Sequence, residues 1–199
     1  ILRNSQAAAA GIYTYEHSQN SNMWIVKLNR DATMAQKSTK TLNIYEELLK
    51  LFKDDIASGR LNIKKNLSIE FMEKGLYFKV GEYKLTNRQK AYLEKFSSKL
   101  IPFLQTHQIY IDTLEINGHT SSEWAGANFT SRYLKNEKLS MNRSFSTLEH
   151  IFKNLNLKAQ TWLTDILKGS GLSYSKNIMK SENEDREKSR RVSFKIILK

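Results

Sequence analysis

The stretch Glu115–Trp124, EINGHTSSEW, decides the fold, because an apolar alternation breaks there into glycine, histidine and hydroxyl residues. The alternation predicts a β-strand from Tyr110 to Ile116, and the polar run predicts a loop at the strand end. Such a loop is a place either for a catalytic or metal-binding histidine at position 119 or for a bound ligand.

His119 lacks the sequence context of a catalytic or metal-binding residue. The sequence contains no G-x-S-x-G nucleophile motif, no phosphate-binding glycine motif and no cysteine, and its 4 histidines lack the spacing that places two imidazoles on one helix face. We therefore predict no catalytic residues, no cofactor and no metal. We expect His119 to form a hydrogen bond across the loop and to fix the strand exit.

Composition indicates a globular chain with a basic surface. The 199 residues carry a net charge of +12, and 40% of them are hydrophobic. The lysines are dispersed rather than gathered in one basic block, so we predict no nucleic-acid partner. No apolar run approaches the ~20 residues that span a bilayer. Because the chain opens with Ile1 rather than Met, we expect a fragment whose membrane anchor lies outside it.

The first part of the chain precedes the strand-rich region. Residues 1–40 read as a linker with limited structure, with one strand-like run at Met23–Leu28. Apolar residues then recur with a 3.6-residue period from Thr41 to Ile56, which predicts an amphipathic helix at about 41–57. Its apolar stripe packs either on the chain's own sheet or on a second copy of the chain.

From Leu67 onward, strand and helix patterns alternate. Leu67–Val80 predicts a β-hairpin or a bulged strand around Gly75, and Thr86 with Gln89 forms a capping-box pattern that predicts a helix start. Pro102 should end or kink that helix near Leu100.

The second half predicts two more helices and a final strand. Ser140 is placed to cap a helix, a shorter helix follows at Gln160–Leu167, and Val192–Leu198 alternates like a half-buried strand. The glycines at 169 and 171 read as breaks between elements. The order predicts an α/β (α+β) two-layer sandwich, with a mixed β-sheet and helices on one face.

Three ordered motifs resemble a known family. INGHT, NEKLSMNR and SRRVSFKI are similar to the OmpA-like peptidoglycan-binding domain shared by OmpA, Pal and MotB, over roughly residues 67–199. The family's G-H-T-D corresponds to Gly118–Ser121, its helix start N-x-x-L-S-x-x-R to Asn136–Arg143, and its N-R-R-V to Ser189–Val192. The resemblance implies a β-α-β-α-β-β fold preceded by an N-terminal helical extension.

The resemblance also implies a function without a reaction, namely binding of the peptidoglycan stem peptide through diaminopimelate. Arg143, at the first turn of a helix, would hold the ligand carboxylate. Asn136 would contact the ligand or cap the helix. Arg190 and Arg191 should point to opposite faces, and we favour Arg190 for the site. The implied peptidoglycan-binding residues are Thr120, Ser121, Glu123, Asn136, Ser140, Arg143 and Arg190.

Two features depart from the family pattern. Ser121 stands where the family has aspartate, and Glu123 either supplies the missing carboxylate or is a solvated loop residue. About seven additional residues lie between the loop and the helix, within WAGANFTSRY. Their aromatic side chains either cover the pocket or pack on the domain, and they are Trp124, Phe129 and Tyr133.

The resulting hypothesis is a non-catalytic, periplasmic OmpA-like domain at 67–199, preceded by a linker and helix at 1–60. By resemblance it anchors a membrane protein to the cell wall as part of a MotB-like flagellar or ion-driven stator subunit. A homodimer, an inner-membrane anchor and a stator partner outside the fragment are expected with it. The alternatives are an OmpA-fold protein-interaction domain that has lost wall binding and an outer-membrane OmpA/Pal-type anchor.

Overall fold

The computed structural model describes residues 13–17, 24–28 and 30–199, with side chains from residue 36 onward. The chain divides into two compact units, residues 1–44 and 45–199. In the first unit, strands β1 (Tyr13–His17) and β2 (Trp24–Leu28) pair antiparallel. The predicted strand-like run is therefore present as β2. Strand β1 and a helix that begins at Arg30 also lie within the stretch that was expected to have limited structure, and its other residues lie outside the described part of the chain.

The predicted amphipathic helix is longer than its sequence pattern indicated. Helix α1 (Arg30–Leu51) begins well before Thr41, and a short helix α2 (Lys53–Ala57) follows it. Asp55 of α2 is buried and forms ion pairs with Arg60 at 3.0 Å and with Lys99 at 3.4 Å. None of the described helices is both long and apolar enough to span a lipid bilayer.

The second unit contains a five-stranded mixed sheet with the order β3-β4-β9-β5-β6. Four strands pair antiparallel, and only β5 with β6 is parallel. The predicted hairpin or bulged strand within Leu67–Val80 is wrong. Strand β4 pairs instead with the preceding strand β3, and a 3₁₀ turn at Lys74–Leu76 replaces the second predicted strand. The strands are β3 (Leu61–Ile63), β4 (Ser68–Phe71), β5 (Ile111–Gly118), β6 (Leu167–Gly171) and β9 (Val192–Leu198).

Helix α3 (Asn87–Thr106) begins as predicted, because Thr86 and Gln89 form a complete capping box. The helix does not end near Leu100, since Pro102 lies inside it. Ile101 and Leu104, on either side of the proline, are buried in the core. Their burial outweighs the single backbone hydrogen bond that proline cannot make.

Helix α4 (Phe129–Lys153) starts eleven residues before Ser140, with Asn128 as its N-cap. The predicted cap at Ser140 is therefore wrong, and the segment that looked like a loop insertion supplies the first turns of the helix. Helix α5 (Leu157–Leu163) is the short helix expected near Gln160. The chain then adds the small strands β7 (Met179–Lys180) and β8 (Asn183–Glu184), followed by helix α6 (Arg186–Ser189).

Strand β6 was missed because its glycines read as breaks. These glycines allow α4 to pack closely on the sheet. A Cβ added at Gly171 would lie 2.6 Å from Ser140 Oγ, and one at Gly118 of β5 would lie 1.9 Å from the Ser140 carbonyl oxygen. Glycine is thus required where a helix backbone approaches a strand this closely.

The core lies between the sheet and helices α3 and α4. Along β9, Phe194 and Ile196 face the helices, while Ser193 and Lys195 point to the other face. Four phenylalanines pack together at the centre, with 4.9 to 5.5 Å between the ring centroids of the contacting pairs, and they are Phe52, Phe71, Phe96 and Phe194. The arrangement matches the predicted two-layer sandwich, and it brings the loop after β5 beside α4.

Candidate ligand-binding site

A cavity of about 570 Å³ opens where the loop after β5 meets α4. Its remaining walls are the turn at Lys79–Glu82 and the segment around α6. Six of the seven residues predicted for ligand binding line this cavity, and they are Thr120, Ser121, Glu123, Asn136, Arg143 and Arg190. The sequence motifs thus converge on one place in the fold.

Arg143 is fully buried in the middle of α4 and not at its first turn. The prediction that Arg143 lies beside the free N–H groups at a helix start is therefore wrong. The guanidinium instead donates to three backbone carbonyls, through Nε to Glu82 at 2.8 Å, Nη1 to His119 at 2.8 Å and Nη2 to Lys79 at 3.1 Å. Burial, together with the charge of Arg190, lowers the pKa of Arg143 to about 9, so it remains a cation at neutral pH.

The turn at Lys79–Glu82 is built around this arginine. The Glu82 N–H donates to the Lys79 carbonyl at 3.1 Å, and Gly81 adopts a positive φ of 74° that a side chain would disfavour. Arg190 holds Phe78, the residue before this turn, because the Arg190 Nε donates to the Phe78 carbonyl at 3.0 Å. Arg143 and Arg190 therefore support the cavity wall as well as line it.

The cavity has an excess of positive charge. Three arginines line it, and Glu123 is its one lining carboxylate. Glu123 is not a solvated loop residue, because its two oxygens pair with Arg186 at 3.0 Å and Arg190 at 3.2 Å. Ser121 Oγ also donates to Glu123 at 3.1 Å. Arg186, which sequence reasoning missed, lies in the charged run EDREKSRR, where nothing distinguishes it from its neighbours.

The two arginines of the final motif do point apart, as predicted. Both precede β9, and Arg190 lines the cavity while Arg191 lies beside Glu70 on the other side of the sheet, with 3.5 Å between Arg191 Nη2 and Glu70 Oε1. The preference for Arg190 as the cavity residue therefore agrees with the geometry.

Asn136 and Ser140 both lie inside α4. The Asn136 side chain lines the cavity and donates to the Arg132 carbonyl at 3.1 Å, so it does not cap the helix. Ser140 does not line the cavity. Its hydroxyl donates to the Glu137 carbonyl at 2.7 Å and accepts from the Ser173 N–H at 3.0 Å, which connects α4 to the segment after β6.

Thr120 lines the cavity and has a buried, unsatisfied hydroxyl. The residue is 1% exposed, and its Oγ1 has no hydrogen-bond partner among the described residues. Its backbone N–H donates to the Ser173 carbonyl at 2.8 Å, which fixes the backbone at this position. A buried polar group without a partner is unfavourable unless another molecule satisfies it.

His119 has the structural role expected from sequence. Its Nε2 lies 2.8 Å from Ser193 Oγ, and its backbone N–H donates to the Arg191 carbonyl at 2.9 Å, so it ties the end of β5 to the start of β9. Burial, and then the charges of Arg191, Lys64 and Arg143, lower the pKa of His119 well below its usual value. The ring is therefore neutral at pH 7.

Only one of the three inserted aromatic residues reaches the cavity. Trp124 lines it, and Lys135 Nζ lies 5.4 Å from the centre of the Trp124 ring. Phe129 is 71% exposed on the first turn of α4, and Tyr133 packs edge-on against Tyr174. Among the described residues, no cluster of histidine and carboxylate side chains suits a metal ion.

Comparison with known proteins finds a curated relative by sequence and two solved structures with the same fold. No protein-family model matches the sequence. The Zorya protein ZorB of Escherichia coli is 30% identical over 160 residues, which cover 78% of this chain and 68% of ZorB. A putative MotB like protein from Desulfovibrio vulgaris has a TM-score of 0.58 and 16% identity, and covers 84% of this chain and 99% of its own.

A second solved structure with the same fold is the cell wall anchor of the T6SS from Pseudomonas aeruginosa. It has a TM-score of 0.51 and 14% identity, and covers 76% of this chain and 97% of its own. At these identities the two structures share the fold of this chain, which confirms the predicted fold class.

Proposed function

Because the chain belongs to the family of the Zorya protein ZorB, we propose that residues 67–199 form a non-catalytic domain that binds peptidoglycan and anchors a membrane protein to the cell wall. The observation that carries the proposal is the cavity beside α4, where arginines meet one carboxylate and the unsatisfied hydroxyl of Thr120. The shared fold with a protein described as a cell wall anchor and with a MotB like protein supports it.

The cavity chemistry suits the free end of diaminopimelate, which carries a carboxylate and an ammonium group. A guanidinium has five N–H donors, and the three carbonyl bonds of Arg143 leave two for a ligand carboxylate. Arg190 adds a second cation nearby. Glu123 is the group that would receive the ammonium, with Ser121 orienting its carboxylate.

Residues 1–60 would then connect the binding domain to a membrane anchor. Helix α1 has 22 residues and is therefore roughly 33 Å long, enough to separate a domain from a bilayer surface. We propose a periplasmic location, an inner-membrane anchor, a homodimer and a stator partner, as in a MotB-like subunit. An outer-membrane OmpA/Pal-type anchor is the alternative for the same domain.

A second candidate function is a protein-interaction domain that has lost wall binding. Glu123 favours it, because both carboxylate oxygens already pair with arginines and so compete with a ligand ammonium. The exposed ring of Phe129, on the first turn of α4, supplies an apolar contact surface. The two candidates differ in whether a diaminopimelate peptide enters the cavity.

Calorimetric titration with a diaminopimelate-containing stem peptide tests the proposal. Thr120→Val is the informative variant, because it removes a hydroxyl that no described residue satisfies and should leave the fold intact. We expect saturable binding by the unmodified chain and roughly threefold to tenfold weaker binding by the variant. Thr113→Val, at a half-buried strand position outside the cavity, is the control. Absence of heat with the unmodified chain would favour the protein-interaction function.

A further inference from the structure

A second pocket lies on the sheet face opposite to helices α3 and α4. Its volume is about 490 Å³, and it is lined by outward-facing residues of the sheet together with the segment after β6. The sheet residues alternate as a strand requires, so that Ser193 of β9 stands between Glu70 of β4 and Asn117 of β5. None of the residues assigned to peptidoglycan binding lines this pocket.

Buried polar atoms without partners are concentrated at this pocket. Arg191 is 5% exposed, and neither its Nε nor its Nη1 donates to a described residue. His119 is 3% exposed, and its Nδ1 is likewise unpartnered, as is Asn177 Oδ1. All three residues line the same pocket. Such groups are normally satisfied in folded proteins, so their convergence indicates that something else fills the space.

The charges of the lining residues indicate the charge of the molecule that this pocket attracts. The pocket has four cationic side chains, and Glu70 is its one lining carboxylate. Glu70 is already satisfied, because Lys64 Nζ lies 2.9 Å away and Arg191 Nη2 lies 3.5 Å away. The remaining cations, Lys176 and Lys195, are not matched by another lining acid. A cation would therefore be repelled, whereas an anion would be attracted.

A hydrogen bond fixes the position of the Arg191 guanidinium within this positively charged pocket. Its Nη2 donates to the Lys176 carbonyl at 3.1 Å, so the guanidinium is held while its Nε and Nη1 are buried without a described partner. His119 is held by Ser193 through Nε2, and when Ser193 donates to Nε2 the ring carries its proton on Nδ1. A held guanidinium with a neighbouring imidazole N–H is a preorganised donor set for an oxyanion.

We propose that this pocket, built around Arg191, is a second ligand site that binds a small oxyanion, a phosphate or carboxylate group. The site is separate from the cavity at Arg143 and does not depend on peptidoglycan binding. Arg191 donates to the oxyanion through Nε and Nη1, His119 contributes Nδ1, and Lys176 and Lys195 supply the surrounding positive charge.

The test follows the Arg191 Nε–H resonance of the ¹⁵N-labelled full chain by NMR during titration at pH 7. One arm uses inorganic phosphate, a second uses acetate, and a third uses sodium chloride at the same ionic strength. The Arg191 signal is assigned by its loss in Arg191→Lys. We expect a saturable shift with phosphate or with acetate, and the arm that saturates identifies the oxyanion class.

The double variant Lys176→Gln with Lys195→Gln tests the pocket without altering the buried arginine. We expect its affinity for the anion to fall at least fivefold. The matched control is Lys95→Gln with Lys158→Gln, which removes the same charge from exposed lysines elsewhere and should keep the affinity within twofold. Equal weakening in both pairs, or no saturable shift with either anion, would overturn the proposal and leave a water-filled pocket.

Discussion

The hydroxyl of Ser121 donates a hydrogen bond to the carboxylate of Glu123, with 3.1 Å between Oγ and Oε1. The carboxylate therefore lies beside the position where the OmpA-like family has aspartate. Sequence reasoning left open whether Glu123 replaces that aspartate. The contact places a carboxylate beside that position, whereas the ion pairs to Arg186 and Arg190 compete with a ligand ammonium, so a binding measurement must decide whether Glu123 replaces the aspartate.

Glu123→Gln should weaken binding of a diaminopimelate peptide by about tenfold or more, because it removes the charge that receives the ligand ammonium. Isothermal titration calorimetry measures the effect. Adding Ser121→Asp to Glu123→Gln returns a carboxylate to the family position and should recover most of the lost affinity. Equal affinity of the unmodified chain and Glu123→Gln would rule out the compensating role.

Pro102 provides a test of how α3 is stabilised. Pro102→Ala supplies the N–H that can donate to the Ser98 carbonyl one turn earlier, so the free energy of unfolding should rise by roughly 1 to 3 kcal/mol. Urea denaturation measures the change, and Lys95→Ala on the exposed side of the same helix is the control. A decrease in stability would mean that the core packing requires the proline geometry.

His119 should make folding stability depend on pH. Its pKa in the folded chain lies well below the ordinary value of 6.5, so as the pH falls through about 6.5 the unfolded chain takes up a proton that the folded chain does not. Its contribution to stability is therefore present above about pH 6.5 and is lost below it, by up to about 1.4 kcal/mol per pH unit.

The check compares urea denaturation of the unmodified chain and His119→Gln at pH 7.5 and pH 5.5. The variant should lose less stability on acidification, since glutamine does not titrate. The same pH dependence in both proteins would assign it to other groups.

The sequence predicted the features that depend on short-range chemistry. Thr86 and Gln89 satisfy each other's backbone donors locally, so the start of α3 was readable. The alternation of apolar and polar residues in β9 indicates that one face is buried, so that strand was also predictable from the sequence. The start of α4 was placed at the family motif near Asn136, although Asn128 provides a good cap earlier in the chain.

Features that depend on long-range contacts were not predictable. The glycines of β6 read as breaks, and only the close approach of α4 explains why the strand needs them. Likewise, Arg143 was predicted as a site residue from its motif. Its bonds to carbonyls 24, 61 and 64 residues away, and hence its role in holding the cavity wall, follow only from the folded chain.

These bonds alter how an Arg143 variant must be interpreted. Arg143→Ala leaves three carbonyls without their donor, each at a cost of about 1 to 3 kcal/mol where buried, so it should lower stability by about 3 kcal/mol or more. Loss of peptidoglycan binding by this variant can be assigned to the cavity only where circular dichroism shows that the variant is folded. Arg88→Ala, on an exposed arginine outside the cavity, controls for the loss of one positive charge.

Co-sedimentation with purified sacculi at physiological salt, with free diaminopimelate stem peptide as competitor, tests the central claim most directly. We predict that the unmodified chain and Arg88→Ala pellet with the sacculi and are released by the peptide, whereas folded Arg143→Ala remains in the supernatant. Failure of the unmodified chain to pellet, or retention that the peptide does not reduce, would contradict peptidoglycan binding at this cavity.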